Sequence, residues 1–345
     1  MSHMSLADDA GRSGNGSAER HAERRSQGIA HSYPLLVRDH GLATALSLLI
    51  KTLPYALARW GVLLASAAAC AVWIGIGAGG AAWLGMHVST TFGVCWLVGV
   101  LLAGGWIWGT VLRYVLHVIE CGHVAVLTEL ITQGHLGNGD EGQFAYGRRI
   151  VVARFGEVAA LFGLSVLIRD VLRIFHNALD TLDQWLPTPG VSTIVGLVNA
   201  VLAAATRYLD KVVLSYDLAR GGDDPWRNVQ DGLVYYCQNA RPILETSIWM
   251  LILERALSIL LWLLLLVPAG LTTMVLPEVI QENGALVTIV VAALLASTLR
   301  AAFIKPLFLI CIMIRFHALV QDQPINASWV GYLDGLSDKF RQIRR

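Results

Sequence analysis

Neither lysine nor arginine occurs in residues 86–91, 181–192 or 268–284, three segments that separate successive long apolar runs. That absence argues against a place on the cytoplasmic side of a bilayer, where basic residues collect. Charged residues are only 15% of the chain against 55% hydrophobic, and mean hydropathy is +0.57. Such a composition does not suit a soluble globule, so the bilayer is the expected solvent. A net charge of +1 leaves no general basic surface for nucleic acid. The five cysteines, Cys70, Cys95, Cys121, Cys237 and Cys311, fall in apolar or basic-flanked segments, so reduced thiols are expected and no disulfide framework. The start, Met-Ser-His-Met, reads as a cloning scar with no leader pattern behind it, and no removable signal peptide is expected. Dinucleotide, P-loop, HExxH and GxSxG patterns are missing from any context that would support them. No enzyme and no cofactor is therefore expected.

What the chain does have is a set of apolar runs bounded by basic segments at 12–59, 113–154, 211–241 and 315–345. The positive-inside rule puts both termini in the cytoplasm and makes the protein an all-α, polytopic inner-membrane protein of about six transmembrane helices. Residues 1–36, poor in large apolar side chains, read as a disordered tail. Residues 37–59 read as an N-terminal interfacial amphipathic helix, with Leu46, Leu48, Leu49, Ile50, Leu53 and Leu57 interrupted by Lys51 and Pro54. The transmembrane domain then covers 60–320, followed by a cytoplasmic C-terminal tail at 321–345. Its expected crossings are 60–84, 91 onward with a helical extension to about 133, a long third helix over 149–185, then 191–208, 242–267 and 285–320. Pro306 is expected to kink or split the last one. Asp224 before Pro225 suggests an N-cap.

The charges inside these runs carry the functional argument. On the third helix Arg169, Arg173, His176 and Asp180 fall within an arc of roughly 60°, flanked by Asp170 and joined by Glu157. Charge at membrane depth must face protein, water or other charge, so this stripe is read as the wall of a pore or substrate path, with a solvated interfacial face as the alternative. Glu245, Glu254, Arg255, Arg300 and Lys305 form a second set of candidate intramembrane charge pairs. Glu254 and Arg255, adjacent and about 100° apart, are not expected to pair with each other. Arg300 or Lys305 is the expected partner of Glu254.

His117, Glu120 and Cys121 share one helix face at spacings that could ligate a metal, whereas His123 points elsewhere; without a second histidine cluster no metal is expected. Trp226, Tyr235, Tyr236 and Trp249 could offer faces to a quaternary ammonium cation or form an interfacial belt.

The run Val-Leu-Ile-Arg-Asp-Val-Leu-Arg-Ile on a long helix, followed by a span ending in Thr-Arg-Tyr-Leu-Asp-Lys-Val-Val-Leu-Ser-Tyr and by two closing spans, resembles the membrane core of the choline-transporter-like family. Arg-Phe-Gly-Glu-Val at 154–158 and Tyr-Leu-Asp-Lys-Val-Val-Leu at 208–214 also resemble an uncharacterised group of bacterial multi-span inner-membrane proteins. The first resemblance implies a choline-like cation transporter; no binding residue is carried over from it. The residues themselves point to a homo-oligomer, surrounded by lipid, that passes a small polar or ionic solute as a channel or transporter. The alternative from the residues is a non-transporting scaffold that binds a partner or lipid.

Overall fold

The computed structural model describes residues 33–137, 141–153, 207–222, 225–274 and 278–336. All regular structure among them is helical: α1 (Leu42–Lys51), α2 (Leu53–His87), α3 (Thr90–Thr132), a helical stretch at 143–153, α4 (Leu209–Arg220), α5 (Pro225–Gln238), α6 (Ala240–Thr273), α7 (Glu278–Leu299), a π-helical turn (Arg300–Ile304), α8 (Lys305–Val320) and α9 (Ala327–Leu336).

Four helical stretches are long and apolar enough to cross a membrane: Leu53–His87, Thr90–Thr132, Ala240–Thr272 and Gly284–Val320. They make two antiparallel hairpins. In the first, Ser89 caps α3 by accepting a hydrogen bond from the Thr91 amide at 3.2 Å. Small residues let α2 and α3 close up. A Cβ on Gly93 would lie 2.6 Å from the Ala81 carbonyl oxygen, and one on Gly104 would lie 2.6 Å from the Trp73 indole nitrogen. That indole donates to the Val100 carbonyl at 3.0 Å, and Trp108 donates to Ser66 Oγ at 3.2 Å, so both ring N–H groups are satisfied within the apolar zone.

The outward faces of these hairpins are bare hydrocarbon. Val72, Ile76, Phe92, Leu102 and Trp106 on the first, and Leu260, Leu264, Leu271, Leu286 and Val290 on the second, are exposed. Water would not tolerate a contiguous apolar face of this extent on a monomer, whereas lipid would. The four helices fit an integral membrane protein. Cys95 lies on such a face. In lipid vesicles a charged, membrane-impermeant maleimide is therefore expected to leave Cys95 unmodified, because alkylation needs a hydrated thiolate. In sodium dodecyl sulfate all five cysteines are expected to react, as read by intact mass; rapid labelling of Cys95 in vesicles would contradict a lipid-facing α3.

Two of the apolar helices then enter a second environment. α3 has 43 residues, about 65 Å of helix at the standard rise, roughly twice a bilayer core. Its last turns, including Val124, Leu127 and Ile131, are fully buried. α8 behaves alike: Phe308, Ile310, Met313 and Phe316 have almost no exposed surface. Together with α1, α4 and α5 these segments build a compact body at one end of the hairpins, with Val212, Tyr216, Leu233 and Tyr235 completing its core. The expected sixth crossing at 285–320 is thus divided: α7 carries an exposed apolar face and α8 is protein core. Pro306 neither splits the helix nor leaves it regular. It cannot donate to the carbonyl four residues back, and the chain widens into the Arg300–Ile304 π turn, closed by the Lys305 amide on the Arg300 carbonyl.

Other boundaries also differ from expectation. Pro54 does not interrupt a helix over 37–59 but stands in the first turn of α2, where no amide partner is required. The leucines of α1 serve two faces: Ala45, Leu48 and Leu49 pack on the body beside α8, and Leu42, Leu46 and Ile50 point outward. The tail expected over 1–36 is anchored at its end, since Tyr33 and Leu35 are buried and the Leu36 and Val37 amides donate to the Ile131 carbonyl. The described start of the C-terminal tail is docked as well. Gln323 Oε1 accepts from Asn239 at 2.7 Å, and its carbonyl accepts from the Tyr235 hydroxyl at 2.7 Å. α9 follows. Most of the third expected crossing, all but the first residues of 149–185, and the fourth up to 206 lie outside the described residues, as does Asp224.

Candidate functional site

Polar side chains gather where the hairpins meet the body. Glu120, on the body side of α3, accepts from Arg59 of α2 at 2.7 Å through Oε1 and from Lys211 of α4 at 3.3 Å through Oε2. Lys211 also holds Asp210 at 2.8 Å. Burial alone would lower the Lys211 ammonium, but the Asp210 and Glu120 carboxylates hold it above its ordinary value. On α6, Glu254 is 4% exposed and divides its oxygens between two guanidiniums: Oε1 accepts from Arg300 at 2.9 Å and Oε2 from Arg207 at 3.0 Å. The expected partners of Glu254 were Arg300 or Lys305; Arg300 is joined by Arg207, and Lys305 is left without an ion pair among the described residues.

Between the two networks lies a cavity of about 140 Å³ lined by Arg59, Glu120, Arg207, Tyr208, Lys211 and Lys305, and completed by Pro306 and Leu309. Its lining sets four cations against one carboxylate. The π turn contributes to this. In a regular α-helix, residues five apart point about 140° apart. The i to i+5 closure of the π turn brings Arg300 and Lys305 toward one side of the chain, the side of α2 and α6. The Tyr208 hydroxyl is buried and, though close enough to the Arg207 guanidinium to feel its charge, makes no aligned hydrogen bond. Arg59 Nε and Arg300 Nε are likewise buried without an acceptor among the described residues.

The remaining sequence candidates scatter. Glu245 forms an exposed pair with Arg241 at 3.1 Å on one helix face, and Arg255 is exposed to the outside of α6. Arg169, Asp170, Arg173, His176, Asp180 and Glu157 lie outside the described residues. His117 Nε2 is 3.6 Å from Cys121 Sγ, but the Glu120 carboxylate is turned into Arg59 and Lys211, and no group of three metal-ligand residues converges among the described residues. Tyr235 and Tyr236 are buried in the body while Trp249 is 74% exposed, so these aromatics do not form a common cage.

A second polar cluster went unnoticed in the sequence. Thr128 of α3, Ser215 of α4 and His317 of α8 are buried together beside Tyr33. Thr128 donates to the Val124 carbonyl at 2.7 Å and lies 2.7 Å from Ser215 Oγ; Ser215 is 2.7 Å from His317 Nε2; His317 Nδ1 is 2.6 Å from the Tyr33 hydroxyl. Only one ordering of protons satisfies every member. Thr128 spends its proton on the carbonyl, so Ser215 donates to Thr128, His317 donates from Nε2, and Tyr33 donates to Nδ1. The imidazole is thereby neutral. The Ser215 and His317 pair is buried and ties α4 to α8 as an internal brace.

No single residue type marked either cluster in the sequence. Tyr208, Asp210 and Lys211 sit in the Tyr-Leu-Asp-Lys segment already distinguished by resemblance, and that density of polar groups beside an apolar run was the available signal. No family model matches this chain, and no curated protein or solved structure is significantly similar to it.

Proposed function

We propose that this is an inner-membrane protein, with its body and both termini in the cytoplasm, that admits a small anionic solute at the root of its hairpins. The observation that carries the reading is the cavity charge: Arg59, Arg207, Lys211 and Lys305 surround one carboxylate, Glu120. A quaternary ammonium ion would meet repulsion there, which weighs against a choline-like cargo. Rings and clusters of fixed charge select the opposite ion in membrane paths, and a cavity at the lipid boundary concentrates it further. In this reading the stripe at Arg169, Arg173, His176 and Asp180 continues the path, within one chain or between copies of a homo-oligomer.

The test is planar-bilayer recording of purified protein under asymmetric salt. Discrete currents whose reversal potential lies toward the anion equilibrium are expected. Lys305→Gln is expected to move that potential toward the unselective value, and Arg169→Ala should do so if the stripe lines the path. Cation-selective currents would overturn the anion reading. Silence from folded, inserted protein, together with no uptake of anions into vesicles, would favour a scaffold that binds lipid or a partner.

A further inference from the structure

We infer that the root cavity is a seat for a doubly charged oxyanion, a phosphate group in particular. This rests on the anion reading above and deepens it. Among the described residues five cations stand in or beside the two networks, Arg59, Arg207, Lys211 and Arg300 in ion pairs and Lys305 in the cavity wall, against three carboxylates, Glu120, Asp210 and Glu254; this set carries an excess of two positive charges. At the margin of a membrane an uncompensated pair of charges is costly, and a dianion balances it where chloride balances half.

The unused hydrogen-bonding groups agree. Of the groups that line the cavity, Arg59 Nε–H is a donor, the Lys305 ammonium can only donate, and the Tyr208 hydroxyl has no acceptor among the described residues. The one carboxylate in the cavity wall, Glu120, has both oxygens engaged, as has Glu254 beside it. The missing partner is thus a compact group made of acceptors, which is what the oxygens of phosphate or sulfate offer. A cavity of about 140 Å³ has room for such a group. The phosphate can come from solution or from the monoester headgroup of phosphatidic acid at the inner leaflet; the chemistry at the site is the same.

The experiment is isothermal titration calorimetry of the full chain in phosphatidylcholine nanodiscs freed of anionic lipid, at a pH where phosphate is doubly charged. Inorganic phosphate, sulfate, nitrate and chloride are compared at matched ionic strength. Phosphate and sulfate are expected to bind at least about tenfold more tightly than nitrate or chloride. Tyr208→Phe, which removes one oxygen and leaves the packing, is expected to weaken phosphate by about threefold to tenfold, and Lys305→Gln by more, in line with loss of a hydrogen bond to a charged group.

Nitrate or chloride binding as tightly as phosphate would overturn the dianion assignment and leave the anion site standing. Absence of heat from every anion would remove both. A second set of nanodiscs containing phosphatidic acid separates the sources. Loss of the phosphate heat there, with the lipid retained by wild type and released by Lys305→Gln in native mass spectra, identifies the headgroup; an unchanged phosphate heat identifies the free ion.

Discussion

Glu254→Ala is expected to destabilise the protein by about 3 kcal/mol, the lower end of the range for breaking a buried ion pair, because Arg207 and Arg300 are themselves partly exposed. The loss is not simply that of two contacts. With the carboxylate gone, the Arg207 and Arg300 guanidiniums are left facing each other beside Lys305, and the described charges of the cluster carry an excess of three positive charges instead of two. Chemical denaturation in micelles, followed by tryptophan fluorescence, measures the change. Arg300→Met added to Glu254→Ala should recover part of it, since the remaining repulsion falls. If the double variant is no more stable than Glu254→Ala, the charge account is wrong and the effect is one of packing.

His317→Leu carries the second large expectation. The side chain keeps its bulk but loses both ring nitrogens, so the Tyr33 hydroxyl loses its acceptor and Ser215 Oγ its donor. Each orphaned buried group costs about 1–3 kcal/mol, so a total of about 2–5 kcal/mol is expected. Tyr33→Phe alone removes one end of the chain and should cost about 1 kcal/mol. The cycle of His317→Leu and Tyr33→Phe is the sharper measurement: Tyr33→Phe should become nearly neutral in the His317→Leu background. Full additivity would mean that the 2.6 Å contact contributes nothing. Limited proteolysis adds an independent readout, because Tyr33 ties the N-terminal segment to the body, and cleavage near residue 40 should accelerate in both single variants.

Much of this architecture was legible in the composition of the chain, and the part that was not has a common cause. Apolar runs over 60–84 and 91–112 announce helices with outward apolar faces, and both helices leave those faces exposed. Residues 121–132 and 306–317 have the same hydropathy and face protein instead. Periodicity cannot separate these cases, because a helix that is apolar on all sides suits either a bilayer or a protein interior. The interfacial helix expected over 37–59 shows the reverse ambiguity: of its six apolar side chains Leu48 and Leu49 face the body, Leu46 and Ile50 face outward, and Leu53 and Leu57 belong to α2.

The polar groups illustrate a different limit. Glu254 and Arg300 stood out singly as charges within apolar runs, so their involvement could be expected. Thr128, Ser215 and His317 are ordinary residues within helices, 87 and 102 positions apart along the chain from Ser215, and only the crossing of α3, α4 and α8 gives them a shared purpose. Arg59, Arg207 and Lys211 read as the basic flanks of spans, as the positive-inside rule leads one to expect. That they converge on Glu120, Glu254 and a common cavity follows from helix packing, which one-dimensional pattern does not encode.

The 43 residues of α3 contain no proline and run unbroken from the lipid-facing turn to Thr128 in the body. A continuous helix of that kind couples the two environments mechanically. Tilt imposed on its outer half by a thicker or thinner bilayer reappears at its inner end as a lateral swing, with Glu120 near the pivot. The depth of the membrane and the shape of the basic cavity are in this sense one mechanical variable, and the widened turn at Arg300–Ile304 on the opposite wall is the most compliant place for the difference to be absorbed.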